Sequence, residues 1–216
     1  MSKMKPYVIR QGDYLTRLSH RLGFAAEEVW SHPRNAELKA QRKDGDMLKA
    51  GDILFVPDAP HKRLPFSKEA TNDYVARVPK LPVSLTLTHN DQPIADVKYE
   101  VLGLDEKLEG TTTGEGSVEF EIDCNVREVV VALEDRRRYR LKLGDLDPAD
   151  EPSGARQRLT QLGLYAATTE GEDQYIAHDE EQLEAALKAF QSQRGIEPTG
   201  GLDEATVAAL RDAYGA

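Results

Sequence analysis

The stretch Tyr7-Val-Ile-Arg-Gln-Gly-Asp-Tyr-Leu15, closing 40 residues on with Leu48-Lys-Ala-Gly-Asp-Ile-Leu-Phe-Val-Pro57, decides how the N-terminal part of this 216-residue chain is read. Tyr7 and Ile9 alternate as residues of a half-buried strand do, and so do Leu54 and Val56. Gly12-Asp13 marks a turn out of the first strand, and Leu15, Leu18, Ser19 and Leu22 then share one helical face. A second short helix runs through Val29-Trp30, followed by Asn35 and Leu38. The expected order is strand, helix, helix, strand. A unit of about 50 residues buries little surface and stands near the limit of independent stability. Leu15 and Trp30 are therefore expected to fill its small core, although a flat indole also suits a sugar face.

Working outward, the chain changes character at Pro57. Residues 58–80 carry Pro60, Pro65 and Pro79 among mixed charges and read as a linker, with Tyr74-Val-Ala-Arg-Val78 as a candidate leading strand. From Leu81 to Leu146 short alternating runs take over. These are Leu85 and Leu87; Val97, Tyr99 and Val101; Val118, Phe120 and Ile122; Val129, Val131 and Leu133; and Tyr139, Leu141 and Leu143. Turn signals at Asn90-Asp-Gln-Pro93, Gly114-Glu-Gly116 and Asp135-Arg136 separate them, predicting an antiparallel β-sandwich of six or seven strands. Residues 147–216 turn helical. Ser153 is the expected cap of a first helix carrying Ala155, Leu159 and Leu162. Asp179-Glu-Glu-Gln182 opens a second with Leu183, Ala186, Leu187 and Phe190, stopped by Gly195, and Asp203 opens a third with Val207 and Leu210. The whole is a multidomain α+β chain.

Composition narrows the function. A net charge of −10 with 31% charged residues argues against nucleic acid and anionic membranes as partners. No apolar run approaches the length of a membrane span, and Met1-Ser-Lys-Met-Lys-Pro6 has no hydrophobic stretch behind it, so synthesis in the cytoplasm is expected. The single Cys124 excludes an intrachain disulfide and is expected to be structural. His20, His32, His61, His89 and His178 show no ligand spacing, so neither a metal nor a cofactor is expected. Arg136-Arg-Arg138 with Arg140 reads as a solvated basic hairpin.

The N-terminal stretch resembles the LysM module, through its opening strand, Gly12-Asp13-x-Leu15, Asn35, and Gly51-x-x-Leu54-x-Val56-Pro57. The resemblance implies binding of N-acetylglucosamine-containing glycan in a shallow groove between two loops, with Gln11, Gly12, Asp13 and Tyr14 on one side and Lys49, Ala50, Gly51 and Asp52 on the other. Tyr14 stands where the family usually has Thr, and it either stacks on a sugar or replaces a hydrogen bond. The central strands are similar to immunoglobulin-like or prealbumin-like modules. Arg158-Leu-Thr-Gln-Leu-Gly-Leu-Tyr165, Ala189-Phe-Gln-Ser-Gln-Arg-Gly-Ile196 and Thr199-Gly-Gly-Leu-Asp-Glu-Ala-Thr206 resemble the three-helix peptidoglycan-binding domain of wall hydrolases. The expected function is non-catalytic peptidoglycan binding at both ends of the chain. The combination is also similar to proteins encoded beside type VI secretion spike genes. That similarity implies an accessory or cargo role, a spike protein as partner, and delivery to the periplasm or a target cell. A wall hydrolase is the remaining alternative, though no stretch is left to form a catalytic cleft.

Overall fold

The computed structural model describes residues 3–58, 67–73, 77–90, 92–166 and 175–214. Residues 74–76 of the candidate leading strand, and His61, lie outside them. The chain divides into two compact units, Met1–Asp145 and Leu146–Ala216, combining several antiparallel sheets with C-terminal helices.

In the first unit, β1 (Met4–Val8) and β2 (Ile53–Pro57) pair antiparallel with Tyr7 opposite Leu54. Between them lie α1 (Leu15–Leu22), α2 (Ala26–Trp30), a 3₁₀ turn (Pro33–Asn35) and α3 (Ala36–Arg42). The single second helix expected from the sequence is thus broken in two. Pro33 holds the preceding His32 extended, at φ −68° and ψ 136°, so α2 cannot run on into α3. Ile9, Leu15, Leu18, Val29, Trp30, Leu38, Leu48, Leu54 and Val56 form one buried cluster. At about 1.5–3 kcal/mol for each large apolar side chain removed from water, so short a list makes polar satisfaction decisive.

Asn35, fully buried, supplies part of it. Its Nδ2 donates to Val29 O at 2.7 Å and Phe55 O at 2.9 Å, while its Oδ1 accepts from Phe55 N at 2.8 Å, so one amide acts as a further strand beside β2. At the start of α1, Tyr14 occupies the cap position with no side-chain cap bond. Asp46 serves instead, accepting from Thr16 N at 2.8 Å and Thr16 Oγ1 at 2.7 Å, and Gly45 O takes the Leu15 N–H. The cap arrives from 30 residues downstream.

The β region runs β3 (Lys80–Thr86), β4 (Thr88–His89), β5 (Gln92–Pro93), β6 (Lys98–Leu102), β7 (Leu108–Thr111), β8 (Ser117–Asp123), β9 (Glu128–Leu133) and β10 (Arg138–Lys142). A four-stranded sheet has the order β10-β9-β6-β7; β3 pairs with β8, and β4 with β5. Val101 faces Val131 across one ladder and Val83 faces Phe120 across another. The inward residues of both sheets, Tyr99, Val101, Val118, Phe120, Ile122, Val129, Val131 and Leu133 among them, meet in a single apolar cluster. Strand β7 escapes sequence reading because Leu108-Glu-Gly-Thr111 has one apolar residue and a glycine.

The linker does not leave the N-terminal elements merely tethered. Arg17 is 3% exposed. Its Nε donates to Cys124 O at 2.8 Å, its Nη2 to Val126 O at 2.6 Å, and its Nη1 to Gly12 O. The guanidinium lies 4.5 Å from the centre of the Tyr14 ring, and Tyr14 Oη donates to the same Cys124 O at 2.7 Å. Gly144, at φ +80°, passes so close to that ring that any Cβ there would overlap it. Helix α1 is therefore fastened to the turn between β8 and β9, and Cys124 is a buried packing residue with an acceptor carbonyl.

In the second unit, α4 (Pro152–Gln161), α5 (Tyr175–Gln193) and α6 (Glu204–Tyr214) enclose Ala155, Leu159, Tyr165, Leu183, Ala186, Leu187, Phe190 and Leu210. Two expected helix starts are corrected. Helix α4 opens at Pro152 with Glu151 at its cap, proline suiting the first turn, so Ser153 lies inside it. Helix α5 has already begun at Tyr175, which places Asp179 in its interior, where it pairs with Arg156 at 2.8 Å and accepts from Tyr165 Oη. Asp203 does cap α6, accepting from Thr206 N at 2.8 Å; this bond holds its carboxyl below the usual range.

Removing the fastening should be costly in proportion to the carbonyls it strands. Arg17→Met leaves the buried Gly12 carbonyl and the part-buried Val126 carbonyl without this donor and should destabilise the first unit by about 3 kcal/mol in urea unfolding. Tyr14→Phe leaves Cys124 O bonded to Arg17 and should cost only about 1 kcal/mol. Equal effects from the two substitutions would show that the guanidinium is not the principal tie.

Candidate functional site

Two backbone bonds bring the predicted loops together: Ile9 N donates to Asp52 O at 2.8 Å and Gly51 N to Ile9 O at 2.9 Å. The side chains, however, do not all face outward. Asp13, 3% exposed, accepts from Tyr7 Oη at 2.8 Å and Arg10 N at 3.2 Å and pairs with Arg21 at 3.2 Å. Asp52 takes a two-pronged bond from Arg42, at 2.8 and 2.9 Å, and another from Lys49 N at 2.9 Å. The Arg42–Asp52 pair is almost wholly buried. These carboxylates hold the loops in shape.

Tyr14 is 4% exposed, so the expected stacking of its ring on a sugar is corrected: the ring is covered by Arg17 and Gly144 and the hydroxyl is bonded to Cys124 O. Its other expected role, replacing a hydrogen bond, fits better, although the bond runs to the β region and not within the loop. Gly12 is buried as well. Gln11 is exposed, with Nε2 bonded to Asp145 O at 2.8 Å. Ala50 and Gly51 are exposed and Lys49 is half-buried. Gly51, at φ +99°, makes the turn possible and has open space where a Cβ would be. Of the expected site residues, Gln11, Lys49, Ala50 and Gly51 thus keep the most exposed surface.

Trp30 and Leu15 lie in the core. Among the described residues no group of three or more His, Cys, Asp or Glu side chains is placed to hold a metal, and no helix is long and apolar enough to cross a membrane. In the basic hairpin, Arg137 pairs with Asp135, and Arg140 lies 3.4 Å from Glu128.

The helical unit is organised around two buried polar side chains that sequence reading did not single out. Gln191 accepts from Gly200 N at 2.8 Å and donates to Thr199 Oγ1 at 3.0 Å, Gly201 O at 3.1 Å and Thr206 Oγ1 at 2.8 Å. One amide therefore shapes the whole connection from α5 to α6. Arg158 is fully buried, with Nη1 donating to Asp147 O at 2.7 Å and Gly154 O at 3.0 Å, and with the Tyr214 ring 5.8 Å away. Gly154 is required in mid-helix because the Asp147 and Pro148 carbonyls fill the place of a side chain. Burial, more than any charge nearby, lowers the Arg158 pKa to about 10. The sequence signal for Arg158 was present: it interrupts the apolar stripe of Ala155, Leu159 and Leu162.

The helical unit is compact, and its α5–α6 connection is pinned by a buried amide. Residues 150–210 match the family model described as "Putative peptidoglycan binding domain". The second unit thus carries a peptidoglycan-binding domain, which supports a cell-wall binding role. No curated protein and no solved structure shows significant similarity to the chain.

Burial raises the Tyr14 pKa to about 12, with Arg17 opposing the shift. Between pH 10, near the ordinary tyrosine value, and pH 12, the unfolded chain releases this proton while the folded chain retains it. The stability from this group is therefore complete below pH 10 and lost as pH rises through 12. Urea midpoints measured across that range should fall, and Tyr14→Phe should fall less steeply.

Proposed function

We propose that the chain is a non-catalytic peptidoglycan-binding protein with a wall-binding module at each end, the N-terminal one of LysM type and the C-terminal one a three-helix bundle, joined through a β-sandwich spacer. The observation that carries the reading is the family match over residues 150–210. The N-terminal half is supported by the junction of its two loops, which leaves Gln11, Ala50 and Gly51 exposed beside a rigid carboxylate framework. Exposed amides there are suited to N-acetyl groups, which need both a donor and an acceptor. Two weak sites on one chain strengthen attachment to a repeating polymer when both engage at once. Delivery forms the second part of the proposal and rests on the sequence resemblance alone: the protein travels as folded cargo or adaptor of a contractile secretion system, and a pull-down from native lysate should recover a spike component.

The intact protein should co-sediment with purified insoluble peptidoglycan at low and moderate salt, because the proposed contacts are hydrogen bonds and not exposed ion pairs. A protein found wholly in the supernatant would end the reading. The same incubation should release no soluble fragments, reducing ends or amines beyond a heat-treated control.

A substitution can test the N-terminal surface separately. Ala50→Arg places a bulky side chain on the exposed loop and should weaken N-acetylglucosamine oligomer binding about tenfold, the change that roughly 1.4 kcal/mol gives. Unaltered titration with native circular dichroism would remove this loop from the site.

A further inference from the structure

Arg17 and Arg158 are both buried, yet the fold treats them differently. Arg17 has a backbone acceptor for each of its three nitrogens. Arg158 has acceptors for Nη1 only, while Nε and Nη2 are enclosed and have no hydrogen-bond partner. Those two nitrogens form the side-on edge of the guanidinium, whose parallel N–H bonds match the two oxygens of a carboxylate. Among the described residues no carboxylate is hydrogen-bonded to that edge. Asp147 and Asp150 act on Arg158 only through space, Arg211 opposes them, and the contact from Asp147 is its backbone carbonyl. Leaving a cation buried with half its donors unused costs several kcal/mol, which a bound anion would recover.

We propose that the side-on edge of Arg158 is a receptor for a free carboxylate, and that its ligand is the C-terminal carboxylate of a peptidoglycan stem peptide. The choice of ligand rests on the wall-binding reading above; the receptor rests on the geometry. Nη1 is held by Asp147 O and Gly154 O, so the plane of the guanidinium is fixed before any ligand arrives. Access lies past Tyr214, a half-buried residue on the last turn of α6 whose ring faces the guanidinium. The ligand thus exchanges a ring–cation contact for two charge-assisted hydrogen bonds.

The full chain is titrated with Nα-acetyl-D-alanyl-D-alanine as the free acid and as its C-terminal amide, by calorimetry and by following the Arg158 Nε–H resonance, assigned by its loss in Arg158→Lys. The acid should bind and shift that resonance, and the amide should bind about ten- to a hundredfold more weakly, the effect of losing a charged hydrogen-bonding partner. Arg158→Lys should lose acid binding by a similar factor, and Tyr214→Ala should bind the acid more tightly. Equal binding of acid and amide would overturn the proposal without depending on any variant's folding, and an Arg158 Nε–H resonance unmoved at saturating acid would overturn it as well. If the acid fails to bind while intact peptidoglycan still sediments the protein, the carboxylate site is wrong and the wall-binding reading stands. If the protein also fails to sediment, the wall-binding reading is lost in its own assay.

Discussion

The guanidinium of Arg17 holds the first unit together, and it does so without a carboxylate. Three backbone carbonyls, from Gly12, Cys124 and Val126, receive its donors, and the Tyr14 ring lies against its face. Carbonyl dipoles satisfy the hydrogen-bonding needs of a buried cation at lower desolvation cost than a second buried charge. The arrangement depends on order along the chain. Gly12 belongs to the turn before α1, whereas Cys124 and Val126 belong to the turn after β8, so the contact forms only when helix and sheet are both in place. It joins a module near the lower size limit for independent folding to a larger apolar cluster.

That fastening reshapes the reading of the N-terminal loops. A turn sequence of glycine, aspartate and tyrosine looks like a polar ligand surface when seen alone. In the folded unit each of its side chains has an internal partner. Asp13 ties Tyr7 to Arg21, and Tyr14 reaches Cys124. In the facing loop, Asp52 fixes Arg42. Most of the recognisable residues therefore form the frame, and the exposed surface there falls to less distinctive neighbours such as Ala50 and Gly51. The same division holds in the helical unit, where Gln191 organises the connection before α6 and never faces solvent.

The two buried arginines show why polar satisfaction separates scaffold from site. Arg17 has a backbone acceptor for every one of its nitrogens within its own fold. Arg158 is held at one end and unfilled along an edge, a state that folding alone does not favour. Both are fixed by backbone carbonyls that include one from a glycine, Gly12 for Arg17 and Gly154 for Arg158. Only the count of partners distinguishes them.

Alternation alone located strands β6, β8, β9 and β10, because a period of two forces Val101, Phe120, Val131 and their neighbours to one side. Helical spacing likewise located the stripes of α1, α4, α5 and α6, and Asp203 marked a true cap. The three phrases in the helical region were enough to suggest a peptidoglycan-binding domain there, since short fixed spacings survive in the sequence itself. Long-range partners do not. That Asp46 caps a helix 30 residues earlier, that Asn35 completes β2, and that Tyr14 and Arg17 reach a turn more than 100 residues away were decided only by tertiary structure. The physical reason is that a side chain's local pattern records whether it is apolar, but not which distant donor or acceptor will meet its polar end once the chain has closed around it.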